Sequence, residues 1–178
     1  MIRDIVILIV LIASIGSVNK ICEARNRDPA DSLEQAVAAT QDKNEKVKLL
    51  YQLSEEYMLS DPEKALRYSD TLLEISRKIG HDEGIIDAYS LKGRLFRNAY
   101  SYDTAIFYTD KAIELAGETG NNARMGRDYS EKGHTVFRKS GPAKGIEFYR
   151  KSYNIFRAIS DSAGLSTALN GIGVMHMR

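Results

Sequence analysis

The feature that most constrains this chain is that it resembles itself when shifted by 40 positions. The run EKALRY from Glu63 aligns with DTAIFY from Asp103 and with AKGIEF from Ala143. Ala65, Ala105 and Gly145 share one phase, and Leu66, Ile106 and Ile146 follow them directly. Leu73, Ile113 and Tyr153 return seven residues later, then Ile75, Leu115 and Ile155. Apolar spacings of three, four and seven mark one face of a helix. A second series runs between these segments: YSLKG from Tyr89, YSEKG from Tyr129 and LNGIG from Leu169. Leu50, Ser54 and Tyr57 precede Tyr89, Gly93 and Phe96 by 39 positions, so the first unit is one residue shorter. A two-helix unit cannot bury its apolar face alone, so recurrence implies stacking. Helix pairs are expected at 43–80, 83–120 and 123–160, with the first helix of a fourth at 163–178.

Punctuation agrees with this register. Asp61 precedes Pro62, and an Asp cap with Pro in the first helical turn is a start signal. Pro142 repeats that proline at the same phase, preceded by Gly141 in place of the Asp. Gly80 and Gly120 stand where a left-handed residue ends a helix, and Ser160 replaces glycine at the third junction. Small residues at one phase have a mechanical reason. Two helices approach to about 8–10 Å only where their crossing carries little side chain. Ser54, Gly93, Gly133 and Gly173 supply this on the first helices, and Ala65, Ala105 and Gly145 on the second.

The signature of a large, a small and an aromatic residue on one helix, then Ala, a bulky residue and Ala on the next, resembles the tetratricopeptide repeat. Tyr89, Gly93, Phe96, Ala105 and Ala112 carry it best, and the third unit departs with Val136, Gly145 and Ser152. The family's usual unit is 34 residues, so this is similar to a longer variety. The resemblance covers residues 43–178. It implies an all-α fold, a right-handed α-α superhelical solenoid of antiparallel helix pairs. A leader with a short helix is expected at 25–42. With the segment SDPEKAL from Ser60, it is similar to the exported N-terminal sensory region of repeat-containing bacterial signalling proteins.

The N-terminus reads as an address. Ile5 to Ile15, IVILIVLIASI, is apolar but short of the roughly 20 residues that span a bilayer. It fits the apolar centre of a secretory signal, with cleavage expected after Ala24. An uncleaved anchor is the alternative, because Arg3 is offset by Asp4. Localisation is therefore expected to be exported, periplasmic or cell-envelope, with membrane contact only through an uncleaved segment. Cys22 is the one cysteine, which rules out an internal disulfide and a Cys-based zinc site. The net charge of +1 gives no reason to expect nucleic acid.

No constellation for catalysis, cofactor or metal stands out. His81 at a turn beside Asp82 and Glu83 reads as solvated, and His176 as a packing residue. Gly141 to Gly145 lacks phosphate-loop spacing. The repeated aromatics Tyr68, Tyr108 and Phe148 read as packing. The chain is thus expected to bind rather than catalyse, with no cofactor.

In this family, peptide ligands lie on the concave face lined by the first helices. By register, the exposed side of those helices carries Tyr51, Glu55, Asp87, Ser90, Arg94, Arg97, Arg127, Ser130, His134 and Arg138. Four arginines there suggest a basic stretch and a protein or extended acidic-peptide partner, since guanidinium matches carboxylate geometry. A solvated charged face is the plain alternative. Leu169, Ile172 and Met175 are expected to face outward at the last helix, offering self-association or marking truncation. On the second view, the chain is the sensory region of a membrane-bound histidine kinase or transcriptional regulator.

Overall fold

The computed structural model describes residues 29–176, leaving aside the side chain of His176. The expected signal segment, residues 1–24, lies outside the described residues. Those residues form helices α1 (Pro29–Ala39), α2 (Lys43–Ser60), α3 (Pro62–Ile79), α4 (Asp82–Asn98), α5 (Tyr102–Glu118), α6 (Asn122–Ser140), α7 (Pro142–Ala158) and α8 (Ser162–His176). No strand occurs among them.

The local signals act as their chemistry dictates. The Asp61 carboxylate accepts from the Lys64 amide at 3.0 Å, and Pro62 occupies the first turn of α3. Gly80 and Gly120 adopt φ of 66° and 68°, ending their helices left-handed. Ser160 does the same at φ 57° without glycine's freedom, so that stop carries some strain. His81 is not merely solvated: it caps α4, its Nδ1 accepting from the Gly84 amide at 2.9 Å.

Each helix packs on its sequence neighbour. First helices of successive pairs (α2, α4, α6, α8) also touch one another, whereas the second helices α3, α5 and α7 do not. The stack therefore curves with the first helices inside, and they form the concave wall.

Crossings within pairs follow the small-residue rule. Ser54 is fully buried and its hydroxyl donates to the Ala65 carbonyl at 2.9 Å. A Cβ on Gly133 would stand 2.8 Å from the Tyr149 ring. Gly93 and Gly133 face the second helix of their own pair; no such helix follows α8 among the described residues, and Gly173 at that phase meets nothing within 4 Å. Gly171 faces the preceding pair instead, against Tyr149. A spacing of seven governs that contact. Tyr149 and Phe156 on α7 fill slots at Gly133 and Gly126 on α6, and at Gly171 and Gly164 on α8. Each glycine pair is also seven apart. Met175 is buried rather than outward, while Leu169 is exposed and Ile172 half-buried.

Pairs are joined by a repeated pin. Lys92 forms an ion pair with Asp70 of the preceding pair and lies 5.1 Å from the centre of the Tyr108 ring. One unit later, Lys132 pairs with Asp110 and lies 4.7 Å from the Phe148 ring. Tyr108 also stacks on Phe96 with centroids 5.4 Å apart. The recurring aromatics thus pack, and they also carry a buried cation stem. At the other end, α1 is tied to the first pair through Glu34. Its Oε1 accepts from the hydroxyls of Tyr57 at 2.9 Å and Tyr68 at 2.8 Å.

Candidate functional site

The concave wall is charged, and most of its charges are paired between neighbouring pairs. Arg94 on α4 reaches Glu55 on α2 at 2.8 Å, and its other amino group lies 3.2 Å from the Met58 sulfur. Arg97 on α4 pairs with Glu131 on α6. Arg124 on α6 grips Asp87 on α4, at 2.6 Å to Oδ1 and 3.1 Å to Oδ2. Helices side by side at repeat spacing place these long side chains within reach of each other. Partial burial keeps solvent from screening them fully.

A cleft of about 170 Å³ opens between α2, α4 and α6. Tyr51, Asp87, Ser90, Arg94 and Arg127 line it, together with Asp128. A second cleft of about 410 Å³ adjoins it, sharing Tyr51, Asp87 and Arg124 and extending to Glu55 and His81. The two make one furrow along the inner wall.

Asp128 is the unusual member. It is 3% exposed, and the Ser90 hydroxyl donates to its Oδ1 at 2.6 Å. The same hydroxyl stands 3.0 Å from the Ile86 carbonyl, so one proton serves two acceptors. Oδ2 of Asp128 has no hydrogen-bond partner. Burial pushes this carboxyl up to about 7, opposed by the Ser90 hydrogen bond and reinforced by Glu131. Burial likewise raises Asp87 to about 6, with Arg124 acting in the opposite direction.

The ten residues read from the sequence do not share one environment. Tyr51 is half-buried and lines both clefts, and its phenol is raised chiefly by burial. Glu55, Asp87, Arg94 and Arg97 lie on the wall but are engaged in ion pairs. Ser90 is half-buried beneath the cleft. Ser130, expected on the exposed side, is 8% exposed and its hydroxyl bonds that of Ser152 on α7 at 2.7 Å. It serves the α6–α7 contact. His134 is half-buried in a separate cleft between α6 and α8, and burial lowers its imidazole pKa. Arg127 and Arg138 are exposed. Arg138 lies 5.7 Å from the Tyr100 ring, whereas Arg127 has no hydrogen bond or ion pair among the described residues. The four arginines therefore do not form an unpaired basic stretch, because Arg94 and Arg97 are neutralised by carboxylates.

Asp128, Arg124 and Glu131 were missed by register. Asp128 had a readable signal. Its phase holds Ala88 in the preceding unit and Ala168 in the following one, both fully buried. An acid at a buried alanine phase departs from the repeat where packing alone would not ask for it.

Among the described residues no group of acids and histidines could hold a metal ion, and no helix is long and apolar enough to cross a membrane.

No family model matches this sequence. A comparison with curated proteins likewise gives no match. Solved structures do resemble it. Aspartyl phosphate phosphatase F from Bacillus subtilis superposes with a TM-score of 0.72 at 21% identity, over 77% of this chain and 36% of that one. A signal transduction ATPase with a tetratricopeptide repeat sensor, from Pyrococcus horikoshii, gives 0.67 at 20%, over 82% and 23%. A Rap protein complexed with Competence and Sporulation Factor gives 0.68 at 15%, over 75% and 38%. The fold is thus a tetratricopeptide-like helical-repeat solenoid, and the chain spans about a third of the length of the first of these structures.

Proposed function

We propose that this chain is a binding scaffold whose concave furrow, between α2, α4 and α6, takes a protein segment or extended peptide. The observation that carries this reading is the furrow itself: a continuous cleft on the inner wall, with polar groups converging on it and Tyr51 at its centre. Concave surfaces of stacked helix pairs suit extended ligands, because successive units offer successive contacts. The Rap neighbour is described in complex with a factor, which supports a binding role without specifying a ligand here. Arg127 lines the furrow and has no carboxylate partner, so an acidic ligand group would be taken by it.

The experiment is fluorescence polarisation of the full chain against labelled pentapeptides of acidic, basic and neutral composition. At least one class is expected to bind, and Tyr51→Ala to weaken it. Binding unchanged by Tyr51→Ala and by Arg127→Ala would place the ligand elsewhere and overturn the reading.

A second reading concerns context. The Pyrococcus neighbour carries its repeats as a sensor within a much longer protein, of which this chain matches 23%. The same scaffold would serve as an input region for signalling, as the leader resemblance suggests. Export through residues 5–15 belongs to both readings. Its test is N-terminal sequencing of the secreted protein, with Arg25 as the expected first residue; retention of Met1 would favour an anchor.

A further inference from the structure

Three buried side-chain oxygens among the described residues lack a hydrogen-bond partner: Ser76 Oγ, Asp87 Oδ1, which Arg124 approaches at 2.6 Å, and Asp128 Oδ2, the one carboxylate oxygen with no cation beside it. Asp128 Oδ2 lies beneath the floor of the α4–α6 cleft with no hydrogen-bond partner. A buried carboxylate oxygen without a donor is costly. Ala88 and Ala168 at the same phase show that the fold accepts alanine there. The cost is therefore not needed for stacking.

The charges around it decide what would relieve it. From α4, Arg94 is committed to Glu55 of α2 and Asp87 is held by Arg124. Glu131, on the same helix α6, is committed to Arg97. Tyr51 is the remaining titratable group from α2, and its phenol stays neutral. Ser90 occupies Oδ1. Both Asp87 and Glu131 act against ionisation of Asp128, so the local potential favours a positive group. Arg127, the nearby unpaired cation, is exposed at the rim.

We infer that Asp128 is an anchoring subsite for a cationic N–H donor, an ammonium or guanidinium group carried by a peptide lying in the furrow. The inference rests on the concave-face reading above and sharpens it. Oδ2 is sealed from solvent, so the incoming donor must part the side chains over it. Arg127 at the rim is exposed, and exposed side chains change rotamer within picoseconds to nanoseconds. The donor would then form a charge-assisted hydrogen bond to Oδ2 while Ser90 keeps Oδ1. A ligand acid could at the same time meet Arg127.

Binding of a cation to the ionised carboxylate is linked to loss of its proton. Affinity is full above the carboxyl's free value of about 7 and falls as pH drops through it. The fall expected between about pH 8 and about pH 6 is roughly tenfold.

The test is an NMR titration of the full chain at pH 8 with four short peptides at millimolar concentration. Acetyl-Ala-Arg-Ala-amide and acetyl-Ala-Lys-Ala-amide present side-chain cations. Ala-Ala-amide presents a free terminal amine, and acetyl-Ala-citrulline-Ala-amide is the neutral isostere of the first. The cationic peptides should shift the Ser90 amide and the Asp128 carboxyl carbon, and the order among them identifies the cation's source. Citrulline should bind at least tenfold more weakly, and Asp128→Asn should weaken the cationic peptides alone by a similar factor. The wild-type carboxyl should also titrate at lower pH when the arginine peptide is bound, a readout that needs no variant. Citrulline binding as tightly as arginine, or affinity and carboxyl titration both unmoved, would refute the anchor while leaving furrow binding intact. No peptide moving any furrow resonance would refute both.

Discussion

Two of the three inner seams among the described residues, α4–α6 and α6–α8, are built on opposite principles. Between α4 and α6 the contacts are ionic: Arg97 with Glu131, Arg124 with Asp87, and Ser90 with the half-satisfied Asp128. Between α6 and α8 there is no ion pair among the described residues, and α8 carries no acid, lysine or arginine. There Tyr149 and Phe156 of α7 wedge into glycine slots on both neighbours. The second seam rests on aromatic rings packed against glycine, which contributes strongly to stability. The first uses partly buried charge, which contributes little net stability but leaves polar groups where a ligand can meet them. The division assigns holding to one seam and recognition to the other.

The largest effect should come from emptying a slot. Phe156 is 1% exposed, and Phe156→Ala is expected to cost about 3–5 kcal/mol in urea unfolding. A loss below about 1 kcal/mol would mean the seam is loosely packed.

Two α8 glycines sharpen the comparison by sign. Gly171→Ala puts a methyl into the Tyr149 ring and should destabilise by about 1–3 kcal/mol. Gly173→Ala meets open space, so the helix-propensity gain of up to about 1 kcal/mol should prevail. The opposite signs would show that α8 is held through the face it turns to α7, while the face carrying Gly173 is open.

Acid titration examines the ionic seam. The folded values of Asp87 and Asp128 lie above the ordinary carboxylate range, at about 6 and about 7. Between about pH 4 and these values the folded state holds protons that the unfolded chain has released. These groups therefore make the protein more stable as pH falls from about 7 toward 4, by at most about 1.4 kcal/mol per pH unit for each. Chemical denaturation at several pH values should show this rise, and Asp128→Asn should remove its share. Stability falling steadily across that window in the wild type, with the variant indistinguishable from it, would contradict the burial of Asp128.

The smallest effect is expected from the exposed end of the wall. A double-mutant cycle on Arg94 and Glu55 should return about 0.2–1 kcal/mol, since Glu55 is solvated.

Much of the fold was legible because packing repeats. Ala65, Ala105 and Gly145 recur where helices cross, and the glycine stops and the Asp61 cap act locally. The slots at Gly126, Gly164 and Gly171 were not legible, because they answer Tyr149 and Phe156 on a different helix at spacing seven. The corresponding positions of the preceding unit, Thr109 and Ala116, are small, so averaging over units hides the aromatics. The wall residues were found as a set, but their state was not. Register tells that Arg94 and Glu55 share a face, not that they neutralise each other. Asp128 was overlooked because it stands at a buried phase, where register looks only for packing.

The most direct test of the division between seams is where a bound ligand sits. Intermolecular NOEs between the full chain and a saturating arginine-containing peptide are expected at Tyr51, Ser90 and Arg127, across α2, α4 and α6. NOEs confined to Thr167, Asn170 and Val174, in the cleft between α6 and α8, would place recognition on the wrong seam and contradict the account.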